Sequence, residues 1–303
     1  MAEVKEEKKP LVVGIGEILW DILPSGKKLG GAPANFAYHA GELGCEAYII
    51  SSVGNDKLGN EILDILNTLG LSSRYIQIDE CHPTGTVEVQ LDNNGIPSYI
   101  IHENVAWDYI KVNEKCLELM KNADAVCFGS LSQRSETSRE AILKLLNNTN
   151  NNCIKIFDIN LRQNFYNREI IINSLAHANV LKLNELELSI VSDLLGVNGG
   201  EESEKLRKLQ KKYSLRLIAL TKGDCGSILF NGERISKHPG FKVEVLDTVG
   251  AGDAFTAAVT VGLIKKWDLD TINDFANKLG GYVCTQQGAT PKIPEWLKTA
   301  LFI

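Results

Sequence analysis

DTVGAGDAFTAAVTVGL (Asp247–Leu263) joins two patterns that usually stand apart. Its opening is small and turn-prone. Its continuation, AFTAAVTVGLI (Ala254–Ile264), has the small and apolar residues of a buried helix. The alternating run FKVEVL (Phe241–Leu246) precedes it and reads as a strand. Gly250, Ala251 and Gly252 therefore fall where a strand turns into a helix N-terminus. Three small residues let backbone N–H groups converge without side-chain obstruction. With the positive end of the helix dipole they make an anion site. Asp253 lies in the first turn beside it. A carboxylate there can accept a proton from a hydroxyl that attacks phosphorus, while the N–H groups take the charge on the moving phosphoryl group. An Asp in a first turn also complements the dipole with no other role, so this stretch alone leaves both readings open.

The flanking sequence supplies the architecture. Short apolar runs at Leu11–Ile15, Ala47–Val53, Ala125–Phe128, Ile154–Ile159, Val180–Leu183, Leu215–Leu220 and Ser227–Phe230 read as buried strands. Amphipathic segments lie between many of them, at Leu58–Leu69, Glu114–Lys121, Ser135–Leu146 and Glu202–Tyr213. That alternation predicts an α/β fold with a mainly parallel sheet covered by helices on both faces. Gly16–Leu29 and Thr84–His102 break the alternation and read as extended, with a period-2 pattern in TVEVQLD and a turn at Asn93-Asn94-Gly95. They predict either a small separate sheet or a decorated edge of the main one.

The chain has 303 residues, 44% hydrophobic and 23% charged, which fits an ordinary globular protein of one large or two smaller domains. A formal net charge of -6 weighs against a duplex-binding face. The 7 cysteines form no C-x-x-C and the 5 histidines show no ligand spacing, so neither a disulfide framework nor a zinc site is expected. The opening MAEVKEEKKP is charged and lacks the apolar core of a signal peptide, and no apolar run reaches membrane-spanning length. These features predict a cytoplasmic protein with reduced thiols and no nucleic-acid or membrane partner. GIGEIL has Gly14 and Gly16 but Leu19 at the third position of a dinucleotide fingerprint, so a nicotinamide-dependent reading is weak. No Walker A match exists, since Gly26-Lys27 is followed by Lys28.

A second long segment, GEILWDILPSGKKLGGAPANFAYHAGELG (Gly16–Gly44), is followed by SSVGNDKLG (Ser51–Gly59). Together with Asp247–Leu263, in this order and spacing, the chain resembles the ribokinase-like (PfkB) carbohydrate kinases over residues 10–303. G-E-x-L-x-D, G-G-A-P-A-N and ENVAWD (Glu103–Asp108) place it nearest the fructokinases of that family. The resemblance implies a three-layer ribokinase-like domain over 10–303, a charged tail at 1–9, and a discontinuous β lid from about 17–29 and 84–104. It implies ATP-dependent phosphorylation of the 6-hydroxyl of D-fructose, with Mg²⁺. The alternatives are the same chemistry on ribose, 2-keto-3-deoxygluconate or a nucleoside, or a catalytically idle sugar-binding relative.

The resemblance also assigns roles. Asp253 is the general base, Gly250–Gly252 the anion hole, and Arg162 of DINLR (Asp158–Arg162) a contact to phosphate or to the sugar's reacting end. Asp21, Gly31 and Asn35 bind sugar, although Asn35 also reads as a helix cap. Asn184 and Glu187 match the N-x-x-E magnesium motif, Glu187 acting through water. Thr221 and Gly223 match the nucleotide loop, and Asn277 the helix lining the adenine pocket. Asp247 and Gly288 keep part of a monovalent-cation site, but Lys292 stands where a hydroxyl is usual, so its ammonium is expected to replace or repel K⁺. An exposed lid sheet would also allow a homodimer.

Overall fold

The computed structural model describes residues 8–23, 26–91, 97–197 and 199–299. The first part of the chain runs β1 (Leu11–Ile15), β2 (Leu19–Leu23), β3 (Gly26–Gly30), α1 (Ala32–Glu42), β4 (Glu46–Gly54), α2 (Lys57–Thr68), β5 (Ile76–Asp79), β6 (Thr86–Leu91) and β7 (Pro97–Ile101). The middle follows with α3 (Glu114–Asn122), β8 (Ala125–Phe128), α4 (Glu136–Asn147), β9 (Ile154–Asp158), α5 (Arg168–His177), β10 (Val180–Asn184), α6 (Glu185–Leu195) and α7 (Glu202–Tyr213). The last part holds β11 (Leu217–Thr221), β12 (Ser227–Phe230), β13 (Ile235–His238), α8 (Ala251–Ile264), α9 (Leu269–Cys284) and α10 (Glu295–Lys298).

A 9-stranded sheet has the order β13-β12-β11-β10-β9-β8-β1-β4-β5. Its pairs are parallel from β11 to β5 and antiparallel at β11–β12 and β12–β13. The continuous burial of LVVGI in β1 is what a strand covered on both faces requires. Val12 packs with Phe36, Phe255 and Phe275 of α1, α8 and α9. Its neighbours Val13 and Ile15 point the other way, into a core shared with Leu119, Ile142, Ile171, Leu188 and Leu206 of α3 to α7. The expected three-layer α/β architecture is the one observed.

The two irregular regions form a separate 4-stranded sheet of order β3-β2-β6-β7. The alternative of a decorated main-sheet edge is therefore excluded. Within this sheet β2 pairs antiparallel with β3 and parallel with β6. It is anchored by Trp20, 2% exposed, whose indole N–H donates to the Leu58 carbonyl at 3.0 Å. Leu19, Val87, Ile101 and Trp107 close a small core beneath it. The turn expected at Asn93-Asn94-Gly95 and most of the 1–9 tail lie outside the described residues.

One expected strand is absent. Phe241–Leu246 carries no ladder, and Phe241, Val243, Val245 and Leu246 are exposed. The alternating pattern needs a partner strand with free backbone groups, and β13 ends at His238 before Pro239-Gly240 turns the chain away. The segment is tied instead to the end of α9, where Leu246 N and Asp247 N both donate to the Cys284 carbonyl.

Candidate active site

The N-terminus of α8 sits at the carboxyl ends of the parallel strands, where open α/β sheets hold ligands. Gly250 caps it at φ 82°, a left-handed conformation suited to glycine. A Cβ at this position would come within 2.5 Å of the Ala289 carbonyl oxygen. A Cβ on Gly252 would approach the Lys182 ammonium at 3.1 Å. Packing therefore demands glycine at Gly250 and favours a small residue at Gly252, while the Ala251 N–H donates to the Thr248 carbonyl at 3.3 Å.

Asp253 follows in the first turn. The Asn35 side-chain amide donates to its Oδ2 at 2.8 Å. Burial and the neighbouring Asp158 charge push its carboxyl up to about 6, against the Asn35 bond and the cations of Lys182 and Arg162. Asn35 is no helix cap: Gly31 holds that position and Asn35 lies inside α1.

Beneath this pair lies an ion pair that the sequence reading did not single out. Lys182 of β10 donates to Asp158 Oδ1 at 3.0 Å, with both side chains nearly buried. Thr256 of α8 donates to the other Asp158 oxygen at 2.8 Å. Burial works against the Lys182 charge, but the carboxylates of Asp158, Glu187 and Asp253 hold it above its usual range. The signal was present: a lysine in the middle of the apolar run VLKLN is a buried charge in a central strand.

On the lid side, burial raises the Asp21 carboxyl to about 6, moderated by Arg162 and Lys28. Asp21 lies within β2, and its carboxylate rests so close to Gly30 that a side chain there would clash. Gly31, at φ 114°, passes directly over the Glu17 carbonyl. Glu17 itself is 2% exposed, its Oε2 has no hydrogen-bond partner, and burial raises it to about 7. Arg162, exposed on the loop after β9, is the cation whose charge reaches Glu17, Asp21 and Asp253 together. Asp21, Asn35, Asp253 and Arg162 are thus linked by short contacts or shared charge, with Gly31 packed on Glu17 beside them.

Asp247 receives N–H groups from Val249 and Gly288, both at 3.1 Å, and the Lys28 ammonium at 3.0 Å. These outweigh its burial and hold its carboxyl below the usual range. The cation beside Asp247 comes from lid strand β3. Lys292, expected there, is exposed on the C-terminal loop. Nothing in its own segment marks Lys28, because 219 residues separate the partners.

The remaining candidates lie on the far side of α8. Asn184 and Thr221 are register partners at the ends of β10 and β11. Asn184 and Glu187 form a reciprocal capping box at 2.9 and 2.8 Å, and Glu187 also accepts from Leu161 N at 3.0 Å. Gly223 takes φ 57° just beyond. Lys222 is drawn away by Glu202 at 2.9 Å and Glu185 at 3.3 Å. Asn277 stands apart: its amide donates to Ser227 Oγ and the Asn273 carbonyl, both at 2.7 Å, inside the α9–β12 packing. Among the described residues no three metal-ligating side chains cluster, and no helix is long and apolar enough to cross a membrane.

This geometry agrees with the similarity of the whole chain to known proteins. The pattern of the pfkB family carbohydrate kinases matches residues 25–296. The chain belongs to this family. It is therefore a carbohydrate kinase, a phosphotransferase with an alcohol acceptor. A sugar kinase of Pyrococcus horikoshii is 30% identical over 95% of both chains. The crystal structure of that uncharacterized kinase in complex with ATP superposes with a TM-score of 0.79 over 92% of this chain and 94% of the other. Fructokinase-1 of Zea mays is 28% identical over 94% of this chain and 95% of its own. A Vibrio cholerae fructokinase variant, solved with fructose, ADP and potassium, shares the fold at TM-score 0.80 and 23% identity, covering 98% and 100% of the two chains.

Proposed function

We propose that this carbohydrate kinase is a fructokinase that transfers the γ-phosphoryl group of ATP to the 6-hydroxyl of D-fructose. The observation that carries the reading is Asp253, held by Asn35 at 2.8 Å on the glycine-capped start of α8, with the Arg162 charge reaching both it and the lid carboxylate Asp21. Support for the sugar comes from the fructokinases among the relatives, and for the nucleotide from the ATP complex of the P. horikoshii protein.

In this reading Asp21, Asn35 and the backbone at Gly31 bind the sugar's hydroxyls. Asp253, raised to about 6, is largely ionised at pH 7 and takes the proton of the attacking hydroxyl. The hydroxyl oxygen bonds to the γ-phosphorus as the bond to ADP breaks. The N–H groups of Gly250, Ala251 and Gly252 and the Arg162 guanidinium receive the charge spread over the phosphoryl oxygens. The Asp158–Lys182 pair beneath α8 fixes the field around Asp253. The lid, read as about 17–29 and 84–104, covers the sugar and excludes water, which limits ATP hydrolysis.

The nucleotide would lie along Thr221, Gly223 and the exposed 241–249 strip, and we keep Asn184 and Asn277 as further residues on that side. Mg²⁺ suits the residues present in one way only. Both Glu187 oxygens already accept a backbone N–H, so the carboxylate fits an outer contact through a metal-bound water. When bound, the ion offsets phosphate charge. The test is ATP-dependent phosphate transfer to fructose, ribose, 2-keto-3-deoxygluconate and nucleosides, with Asp253→Asn as control. Preferred turnover on fructose supports the reading. Turnover on another acceptor replaces the substrate and keeps the mechanism. ATP binding with no turnover on any acceptor rejects both.

A further inference from the structure

We propose that His39 is a positioning residue for the anion site at the start of α8, acting through the carbonyl of Ala289. This rests on the reading of Gly250–Gly252 as the groups that receive the phosphoryl charge.

His39 lies in α1 and is 0% exposed. Its Nε2 sits 2.9 Å from the Ala289 oxygen, 250 residues away in sequence. A carbonyl can only accept, so Nε2 carries the proton and Nδ1 is left with a lone pair. That Nδ1 has no partner. Burial lowers the imidazole to about 4, which keeps this neutral donor form across the working range. A buried imidazole with one nitrogen unmet is costly for packing alone. An apolar side chain would fill the space without the cost, so the single bond to Ala289 is the feature that needs explaining.

Ala289 is not an arbitrary backbone site. Its carbonyl oxygen, Cα and Cβ all lie within 2.8 Å of where a Gly250 Cβ would stand. The Ala289 peptide is therefore the floor on which the left-handed Gly250 rests. Gly288, just before it, donates to Asp247 at the other end of the same turn. A shift of Ala289 would move Gly250, and with it the direction of the N–H groups that follow.

α1 carries a stripe that makes His39 part of a series. Asn35, His39 and Glu42 fall at i, i+4 and i+7, on one helical face. Asn35 holds Asp253 at 2.8 Å, His39 holds Ala289 at 2.9 Å, and Glu42 accepts from Ile293 N at 3.1 Å and pairs with Lys298 at 3.0 Å. One rigid element thus sets both the general base and the loop that props the anion site. Their spacing is preserved because both are measured from the same helix.

The test compares three substitutions: His39→Gln, whose amide reaches the place of Nε2; His39→Asn, whose amide reaches only that of Nδ1; and His39→Leu, which fills the volume without a donor. Steady-state kinetics with the accepted sugar and thermal melts are measured for all three, with Gly250→Ala alongside. His39→Leu and His39→Asn are expected to lower kcat by about tenfold to a hundredfold, the scale of a misplacement of about 1 Å. The sugar KM is expected to stay within about twofold, and His39→Gln to regain most of kcat. A merely structural histidine would lower the melting temperature without this split between kcat and KM or this rescue. Equal kcat for His39→Gln and His39→Asn overturns the proposal, and that comparison stands even where His39→Leu does not fold. Should Gly250→Ala keep full turnover, the anion-site reading itself fails. Should it lose turnover while the folded His39 variants match the wild type, only the role of His39 fails.

Discussion

On the lid side of α8, several buried polar atoms lack partners, the donors Trp107 Nε1 and Arg134 Nη1 among them. Glu17 Oε2, Asn35 Oδ1 and Ser130 Oγ are enclosed without a hydrogen bond, and burial raises the carboxyls of Glu17, Asp21 and Asp253. Across α8 the polarity is reversed. The Asn184 side-chain oxygen and both Glu187 oxygens accept backbone N–H groups, and Lys222 is held by two glutamates. What stands unmet there is apolar: Phe241, Val243, Val245 and Leu246 are 40%, 37%, 58% and 67% exposed. One side suits a polar ligand that can both donate and accept hydrogen bonds, and the other an apolar one. This is the contrast that the proposed sugar and nucleobase would meet.

The sharpest way to break this comparison is at its boundary. Asp253→Asn keeps an oxygen for Asn35 but removes the base, and kcat is expected to fall about 10³-fold with little change in either KM. Near-normal kcat would remove Asp253 from the mechanism. Next in size, Asp21→Ala should raise the sugar KM by about tenfold to a hundredfold, the range for hydrogen bonds to a charged group, and leave the ATP KM alone. Equal changes in both KM values would show that the two sides are not separate.

A pH profile sharpens the contrast further. With Asp253 and the sugar-binding Asp21 both near 6, kcat/KM for the sugar should drop by at least about tenfold per pH unit below that value, since only ionised Asp253 accepts the proton. The stability consequence has the opposite sense. A carboxyl raised on folding binds its proton more tightly in the native state. Its contribution is fully present below the unfolded pKa and is lost as pH rises through about 6. Asp253→Asn should therefore raise the melting temperature at pH 8 relative to the wild type, and much less at pH 4. A lower melting temperature at pH 8 would show that burial does not strain this group.

The smallest effect is expected where the sides meet. Lys28 of the lid pairs with Asp247 of the core, with side-chain exposures of 34% and 18%. Lys28→Met should cost under about 1 kcal/mol in urea unfolding, because a half-solvated pair is screened. The same substitution strips Asp247 of its cation. Turnover of the wild type should be indifferent to exchange of Na⁺ for K⁺, and that of Lys28→Met should respond to it. A strong K⁺ response in the wild type would show that Lys28 does not serve Asp247 in the working enzyme.

Much of the fold was legible because it is written in local period. The apolar runs of β1, β8 and β12 coincide with strands, and Glu202–Tyr213 is helix α7 to the residue. The small residues at 250–252 announced the start of α8. The failures share a cause. FKVEVL alternates as a strand should, yet no neighbouring strand offers it backbone groups, so it is an exposed strip. Asn35 has the chemistry of a cap, yet Gly31 takes that place and Asn35 turns to Asp253.

The sequence by itself therefore determined most of the element types, the alternation of strands and helices, and the residues proposed for phosphoryl transfer. Tertiary structure alone decided which of them meet. Lys28 with Asp247, His39 with Ala289 and Lys182 with Asp158 lie 219, 250 and 24 residues apart, in segments whose local patterns say nothing of one another. Periodicity records which face a segment buries. The angle and depth at which two buried faces come together depend on every side chain between them, and those distances place a base, an anion site and a cation within reach of one ligand.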